Sequence, residues 1–197
     1  MKAVAQIAFT VMLFCAENLI AFTYKDISYH SDAFNQQRNF RIFLPPDYAS
    51  SGKTYPVVYF MHGWAGNYTG PKTPLTATDW LIEARYYDDG TTAESYQPIN
   101  PDNFDDYVRT HDLIVVKLDG HYVSNFPGPW SLGNDSDTWF DYGADLMQVV
   151  EKVDTDYPTL SDRDQRAICG LSMGGFFSMY CAARFPDVFS AWGGWAR

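Results

Sequence analysis

The stretch Arg166-Ala167-Ile168-Cys169-Gly170-Leu171-Ser172-Met173-Gly174-Gly175 decides how the rest of the chain is read. Its first six residues form a short, mostly apolar run, the pattern of a buried strand. From Gly174 to Phe185 the pattern turns helical, and Pro186 stops it. Between the two, Gly170-Leu171-Ser172-Met173-Gly174 fits G-x-S-x-G. A junction of this kind makes the chain turn abruptly from strand to helix, which forces the serine into a strained conformation and exposes its hydroxyl. Glycines two residues to either side leave room for that turn, and Gly175 lets the helix lie close to the sheet. The helix start behind Ser172 supplies unpaired N–H groups and a positive dipole, both suited to an oxyanion.

Working outward, Tyr55 to Met61 (Tyr-Pro-Val-Val-Tyr-Phe-Met) is a continuous apolar run ending at His62-Gly63. Leu113 to Leu118 is another, ending at Asp119-Gly120. Runs of this type predict central strands of a parallel sheet covered on both faces. Asn39 to Leu44 alternates polar and apolar residues before Pro45-Pro46, which predicts a half-buried strand. Thr138 to Tyr157 predicts a helix with Asp137 as N-cap, burying Phe140, Ala144, Met147, Val150 and Val153 and turning its Asp and Glu residues outward. Phe189 to Trp195 reads as a further core strand. Strands alternating with helices give an α/β fold: a mostly parallel central sheet with helices on both faces. The segments from Trp64, from Tyr87 and from Gly120 read as loops at strand ends, where α/β sheets bind ligands.

Composition narrows the function classes. The 197 residues carry 14 Lys and Arg against 24 Asp and Glu, a net charge of −10, which excludes the basic footprint of a nucleic-acid binder. Met1-Lys2 and the apolar stretch after it resemble a secretory signal peptide over residues 1–21, leaving one domain over 22–197 and no membrane span once the signal is removed. Secretion is the expected destination, and Asn67-Tyr68-Thr69 and Asn134-Asp135-Ser136 are glycosylation sequons in keeping with it. Cys169 and Cys181 lie in apolar segments and read as buried free thiols, with a bridge between them the lesser alternative. The chain shows no metal-ligand cluster, P-loop or dinucleotide fingerprint, so no cofactor is expected.

Four blocks in order resemble the putative-esterase family of α/β-hydrolases: Arg-Ile-Phe-Leu-Pro-Pro-Asp-Tyr at 41–48, Tyr-Pro-Val-Val-Tyr-Phe-Met-His-Gly at 55–63, the Gly-Leu-Ser-Met-Gly-Gly junction at 170–175, and Phe-Pro-Asp-Val-Phe at 185–189. The family includes feruloyl and acetyl-xylan esterases, S-formylglutathione hydrolases, siderophore esterases and mycolyltransferases. The resemblance implies Ser172 as nucleophile, with the N–H groups of Trp64 and Met173 as oxyanion donors. It implies a small-molecule or polysaccharide-linked ester as substrate, cleaved through an acyl-enzyme. Acyl transfer to another hydroxyl, and non-catalytic binding on a hydrolase scaffold, are the alternatives. His62, His121 and Trp130 are the expected pocket residues. Trp64, Tyr68, Tyr122, Phe126 and Trp130 offer aromatic faces for sugar or phenolic rings.

One part of the triad pattern is not met. In this fold the acid and the histidine follow the serine along the chain, yet none of the four histidines lies after Ser172. The expectation from sequence is a chain incomplete at its C-terminus, with the last strands missing; a pseudoenzyme is the alternative. His30 and His111 read as surface residues.

Overall fold

The computed structural model describes residues 24–63, 68, 104–120 and 136–195. Among these residues six strands form one sheet: β1 (Tyr24–Ser31), β2 (Gln36–Phe43), β3 (Val57–Met61), β4 (Ile114–Leu118), β5 (Arg166–Leu171) and β6 (Ala191–Trp195). They lie in the order β1-β2-β4-β3-β5-β6. The apolar runs at β3, β4 and β5 pair in parallel with each other and with β6, as their composition requires. β1 and β2 form an antiparallel hairpin, and β2 runs antiparallel to β4, so the sheet is mixed.

Among the described residues three α-helices cover the sheet: α1 (Phe104–Thr110), α2 (Ser136–Asp156) and α3 (Met173–Arg184). α1 seals one face by setting Val108 and Phe104 against Phe43, Phe60, Val115 and Leu171. α2 and α3 seal the other, where Tyr142, Leu146, Val149, Val150 and Val153 meet Phe177 and Cys181 over Phe40, Tyr59, Val116 and Ile168. Helices on both faces of a mostly parallel sheet are what the sequence predicts.

The structure corrects three expectations. β2 is buried on both faces from Phe40 to Phe43 rather than half-buried, because it lies between β1 and β4 and serves both cores. On α2 the inward stripe runs Tyr142, Leu146, Val149, Val150 and Val153, while Ala144 is exposed. Asp145, assigned outward by its charge, is buried in this stripe. α2 also begins at Ser136, which puts Asp137 inside the first turn rather than at the cap. β1 and α1 are not foreseen by the apolar runs. β1 is an edge strand whose Tyr24, Asp26 and Ser28 alternate with Lys25, Ile27 and Tyr29, giving no continuous apolar signal.

Strand order fixes where the functional end lies. From β3 the chain passes to β4 on one side, then returns to β5 on the other. The direction of winding therefore reverses between β3 and β5, and the crevice beyond their carboxyl ends is the ligand site of open α/β sheets. His62-Gly63 leaves β3 at that point, and Ser172 leaves β5.

Candidate active site

β5 ends at Leu171 and α3 begins at Met173, so Ser172 alone makes the turn. Its backbone sits at φ 49°, ψ −113°, a region almost closed to residues with a Cβ. Holding a non-glycine residue there costs about 1–3 kcal/mol and demands support from all sides. The first support is the helix: the N–H groups of Gly175 and Phe176 both donate to the Ser172 carbonyl, at 3.0 and 3.2 Å. The second is Ser178, fully buried, whose hydroxyl donates to the Gly174 carbonyl at 2.7 Å and locks the first turn.

The third is close backbone packing that only glycine permits. A Cβ on Gly174 would strike the Met61 carbonyl and lie 2.6 Å from the His62 carbonyl oxygen. A Cβ on Gly170 would strike the Gly174 carbonyl group and stand 2.7 Å from the Met61 oxygen. The two glycines of the motif thus let the serine turn press directly against the end of β3. On β6, a Cβ on Gly194 would lie 3.1 Å from the Gly175 Cα, so helix and strand backbones come close there.

Met173 is the first residue of α3 and is buried. Its N–H is the first of α3, and the leading N–H of a helix has no acceptor one turn back. An anion beside Ser172 would meet that N–H and the positive end of the helix dipole. Trp64, His121 and Trp130 lie outside the described residues, as do Asn67, Asn134 and residues 1–21. Tyr68 is described and half-buried; burial and the nearby Asp26 and Asp119 carboxylates raise its pKa.

His62 is buried, 4% exposed, and both its ring nitrogens are engaged. The Gly120 N–H donates to Nε2 at 2.8 Å, so Nε2 is an acceptor and the ring proton sits on Nδ1. Nδ1 in turn donates to the Gly63 carbonyl at 2.7 Å. A histidine held on both sides braces the ends of β3 and β4 and has no lone pair for a serine proton. Among the described residues no hydrogen bond joins Ser172 to a histidine. His30 is exposed on β1, and His111 is exposed and stacked on Tyr107 at 3.9 Å. Cys169 and Cys181 are free thiols. Burial pushes Cys169 up to about 11 and Cys181 higher still, so neither is a thiolate nucleophile at neutral pH.

Sequence reasoning missed a buried polar cluster beside this site. The Tyr29 hydroxyl donates to both Asp145 carboxylate oxygens at 2.9 Å, and Arg38 Nε donates to Asp145 at 3.0 Å. Arg38 also donates to the Asp119 carbonyl at the end of β4. Its guanidinium lies over the Phe34 and Tyr142 rings, 4.7 and 5.4 Å from their centroids. Burial raises the Asp145 carboxyl, opposed by Arg38, Ser31 and Tyr29.

Comparison with known proteins fits this geometry. Residues 31–194 match the family model described as "Putative esterase". The chain belongs to that esterase family. Among relatives of this esterase-family chain, an esterase of Mycobacterium tuberculosis is 23% identical over 163 residues, 83% of the chain and 30% of that protein. An endo-1,4-beta-xylanase/feruloyl esterase of Xylanibacter ruminicola is 27% identical over 173 residues, 86% of the chain and 21% of that protein. The chain therefore spans under a third of either relative. Two solved structures share the fold. A ferulic acid esterase from Anaeromyces mucronatus superposes with a TM-score of 0.54 at 22% identity, over 86% of this chain and 56% of that one. An S-formylglutathione hydrolase from Staphylococcus aureus gives 0.56 at 20% identity, over 85% and 57%.

Proposed function

We propose that the chain carries the nucleophile and oxyanion hole of a secreted serine carboxylic-ester hydrolase. The observation that carries this reading is the conformation of Ser172: a non-glycine residue at φ 49° on a strand-to-helix turn, where strain has no structural use but presents the hydroxyl. In the proposed reaction Ser172 Oγ attacks the ester carbonyl carbon, and the carbonyl π electrons move onto its oxygen. The Met173 N–H, with the Trp64 N–H from the turn after β3, holds that oxyanion. Each such donor contributes roughly 3–4 kcal/mol at the transition state. The serine proton passes through a general base to the departing alcohol, and water then cleaves the acyl-enzyme and restores Ser172. His62 is not that base, because Gly120 occupies its acceptor nitrogen.

For the substrate we favour feruloyl or acetyl esters of polysaccharide. Support comes from the Xylanibacter ruminicola relative, named a feruloyl esterase, and from the ferulic acid esterase among the structures sharing this fold. Aromatic residues at Trp64, Tyr68, Tyr122, Phe126 and Trp130 suit a phenolic acyl group or a sugar ring. The signal-like segment over residues 1–21 agrees with an extracellular polymer as substrate.

A fluorophosphonate probe tests the serine. In a chain that also carries the triad acid and histidine, one probe is expected on Ser172, placed by peptide mass spectrometry, and none in Ser172→Ala. Such a chain, folded and yet resisting the probe, would overturn the assignment.

A further inference from the structure

We infer that Arg38 is a positioning residue for the nucleophile turn, acting through a buried polar relay that runs from α2 to the end of β3. This rests on reading Ser172 as the nucleophile.

The relay can be followed atom by atom. Asp145 on α2 is 6% exposed and accepts from Tyr29 on β1 and from Arg38 on β2, which is 4% exposed. Arg38 is thus anchored at Nε, clamped over Phe34 and Tyr142, and left with a terminal nitrogen to donate to the Asp119 carbonyl. Asp119 is the first residue beyond β4, so this bond fixes the peptide joining it to Gly120. The other end of that peptide, the Gly120 N–H, donates to His62 Nε2. That sets the His62 tautomer, and Nδ1–H closes the turn onto the Gly63 carbonyl. The His62 carbonyl in turn bears on Gly174, two residues after Ser172.

Two features argue that this is more than ordinary core packing. A buried ion pair seldom stabilises a fold better than apolar residues of the same shape, so the presence of one here points to geometry. And the relay ends on His62 and Gly63, which leave β3 at the crevice, with the His62 carbonyl close against Gly174. Gly120 belongs to the contact as well, since a Cβ there would stand 2.6 Å from Met61 Sδ and 3.4 Å from His62 Nε2. Were the Asp119–Gly120 peptide free to rotate, Nε2 would lose its donor. Asp119 Oδ1, 3.9 Å away, would then favour the opposite tautomer and release Gly63.

Arg38→Met alone would leave Asp145 charged and unpaired in the core, so the informative variant removes the whole charge cluster: Tyr29→Phe/Arg38→Met/Asp145→Leu. It keeps an apolar, similarly sized core and removes the tether to Asp119, together with the contact of the buried Ser31 hydroxyl to Asp145. Nitrogen-15 spectra of labelled histidine are expected to show His62 as a single Nδ1–H tautomer in the unmodified protein and as a mixture, or the reverse tautomer, in the triple variant. In a chain that also carries the triad acid and histidine, fluorophosphonate labelling of Ser172 is expected to slow by roughly 10–100-fold, the scale of a misplacement near 1 Å. A triple variant that unfolds cooperatively yet retains either the tautomer or the labelling rate would overturn the inference. An unmodified protein that resists the probe would count against the serine reading alone, because the tautomer measurement still decides whether the relay holds the His62–Gly63 turn.

Discussion

Ser172 is half-buried, with its carbonyl bonded into the first turn of α3, and its φ of 49° is the cost of that arrangement. The strain is a property of the Cβ, so it can be measured by removing it. Ser172→Ala keeps the Cβ and hence the strain, whereas Ser172→Gly releases about 1–3 kcal/mol. Glycine adds unfolded-state entropy worth about 0.4–1 kcal/mol in the opposite direction. The strain is the larger quantity, so Ser172→Gly is expected to be more stable than Ser172→Ala by about 1 kcal/mol, read from urea midpoints at equal slope. A glycine variant less stable than the alanine variant would show that the turn is relaxed. The need for a strained serine is legible in the spacing of Gly170 and Gly174. What is not legible is which atoms fill the space they leave, because the Met61 and His62 carbonyls arrive from a strand more than a hundred residues away.

Helix α2 is docked at both ends by buried charge. Asp145 meets Arg38 in its N-terminal half, and near its C-terminus Asp154 receives Arg166 from β5 together with the Thr159 hydroxyl at 2.7 Å. The chain just beyond the helix is pinned to the entry of β3, where Tyr55 N–H donates to Pro158 and Leu160 N–H donates back to Tyr55. Asp154→Ala would strand a guanidinium whose side chain is 8% exposed, and is expected to cost about 3 kcal/mol in chemical denaturation. Lys152 and Asp156 form an exposed i,i+4 pair one turn along the same helix, and Lys152→Ala is expected to change stability by less than about 0.5 kcal/mol. Equal costs would mean that burial does not set the value of these pairs. The same contrast explains what a sequence conveys about such a helix. Its existence and length follow from apolar periodicity, but its inward stripe is misplaced once Asp145 is assigned to solvent by its charge. No pattern within α2 announces Arg38, which lies 107 residues earlier on β2.

The whole sheet is covered unevenly among the described residues. On the α2 and α3 face a single cluster runs from Tyr29 and Phe34 through Tyr59 and Ile168 to Phe177 and Phe189. On the other face a smaller cluster gathers under α1, a helix of seven residues that buries Val108 and Asp105. Parallel strands and the larger core were foreseen because continuous apolar runs are visible in the sequence. The antiparallel hairpin was not, because β1 carries an edge-strand pattern of mixed polarity. This asymmetry has a consequence for local stability. Helices much shorter than about 12 residues are held by packing alone, and among the described residues α1 has little of it, so it should open without the rest of the sheet. Amide hydrogen exchange is expected to show β3, β4 and β5 protected up to the global unfolding free energy, with the amides of residues 104–110 exchanging through a smaller opening. That opening should respond weakly to urea, since it exposes little surface. Phe177→Ala on the larger core should lower the strand protection by about 3–5 kcal/mol while leaving the sub-global opening of α1 unchanged. If α1 were instead protected as strongly as β4, the two faces would form one cooperative unit, and the Ser172 turn would be supported from both sides of the sheet rather than mainly from the α2 and α3 side.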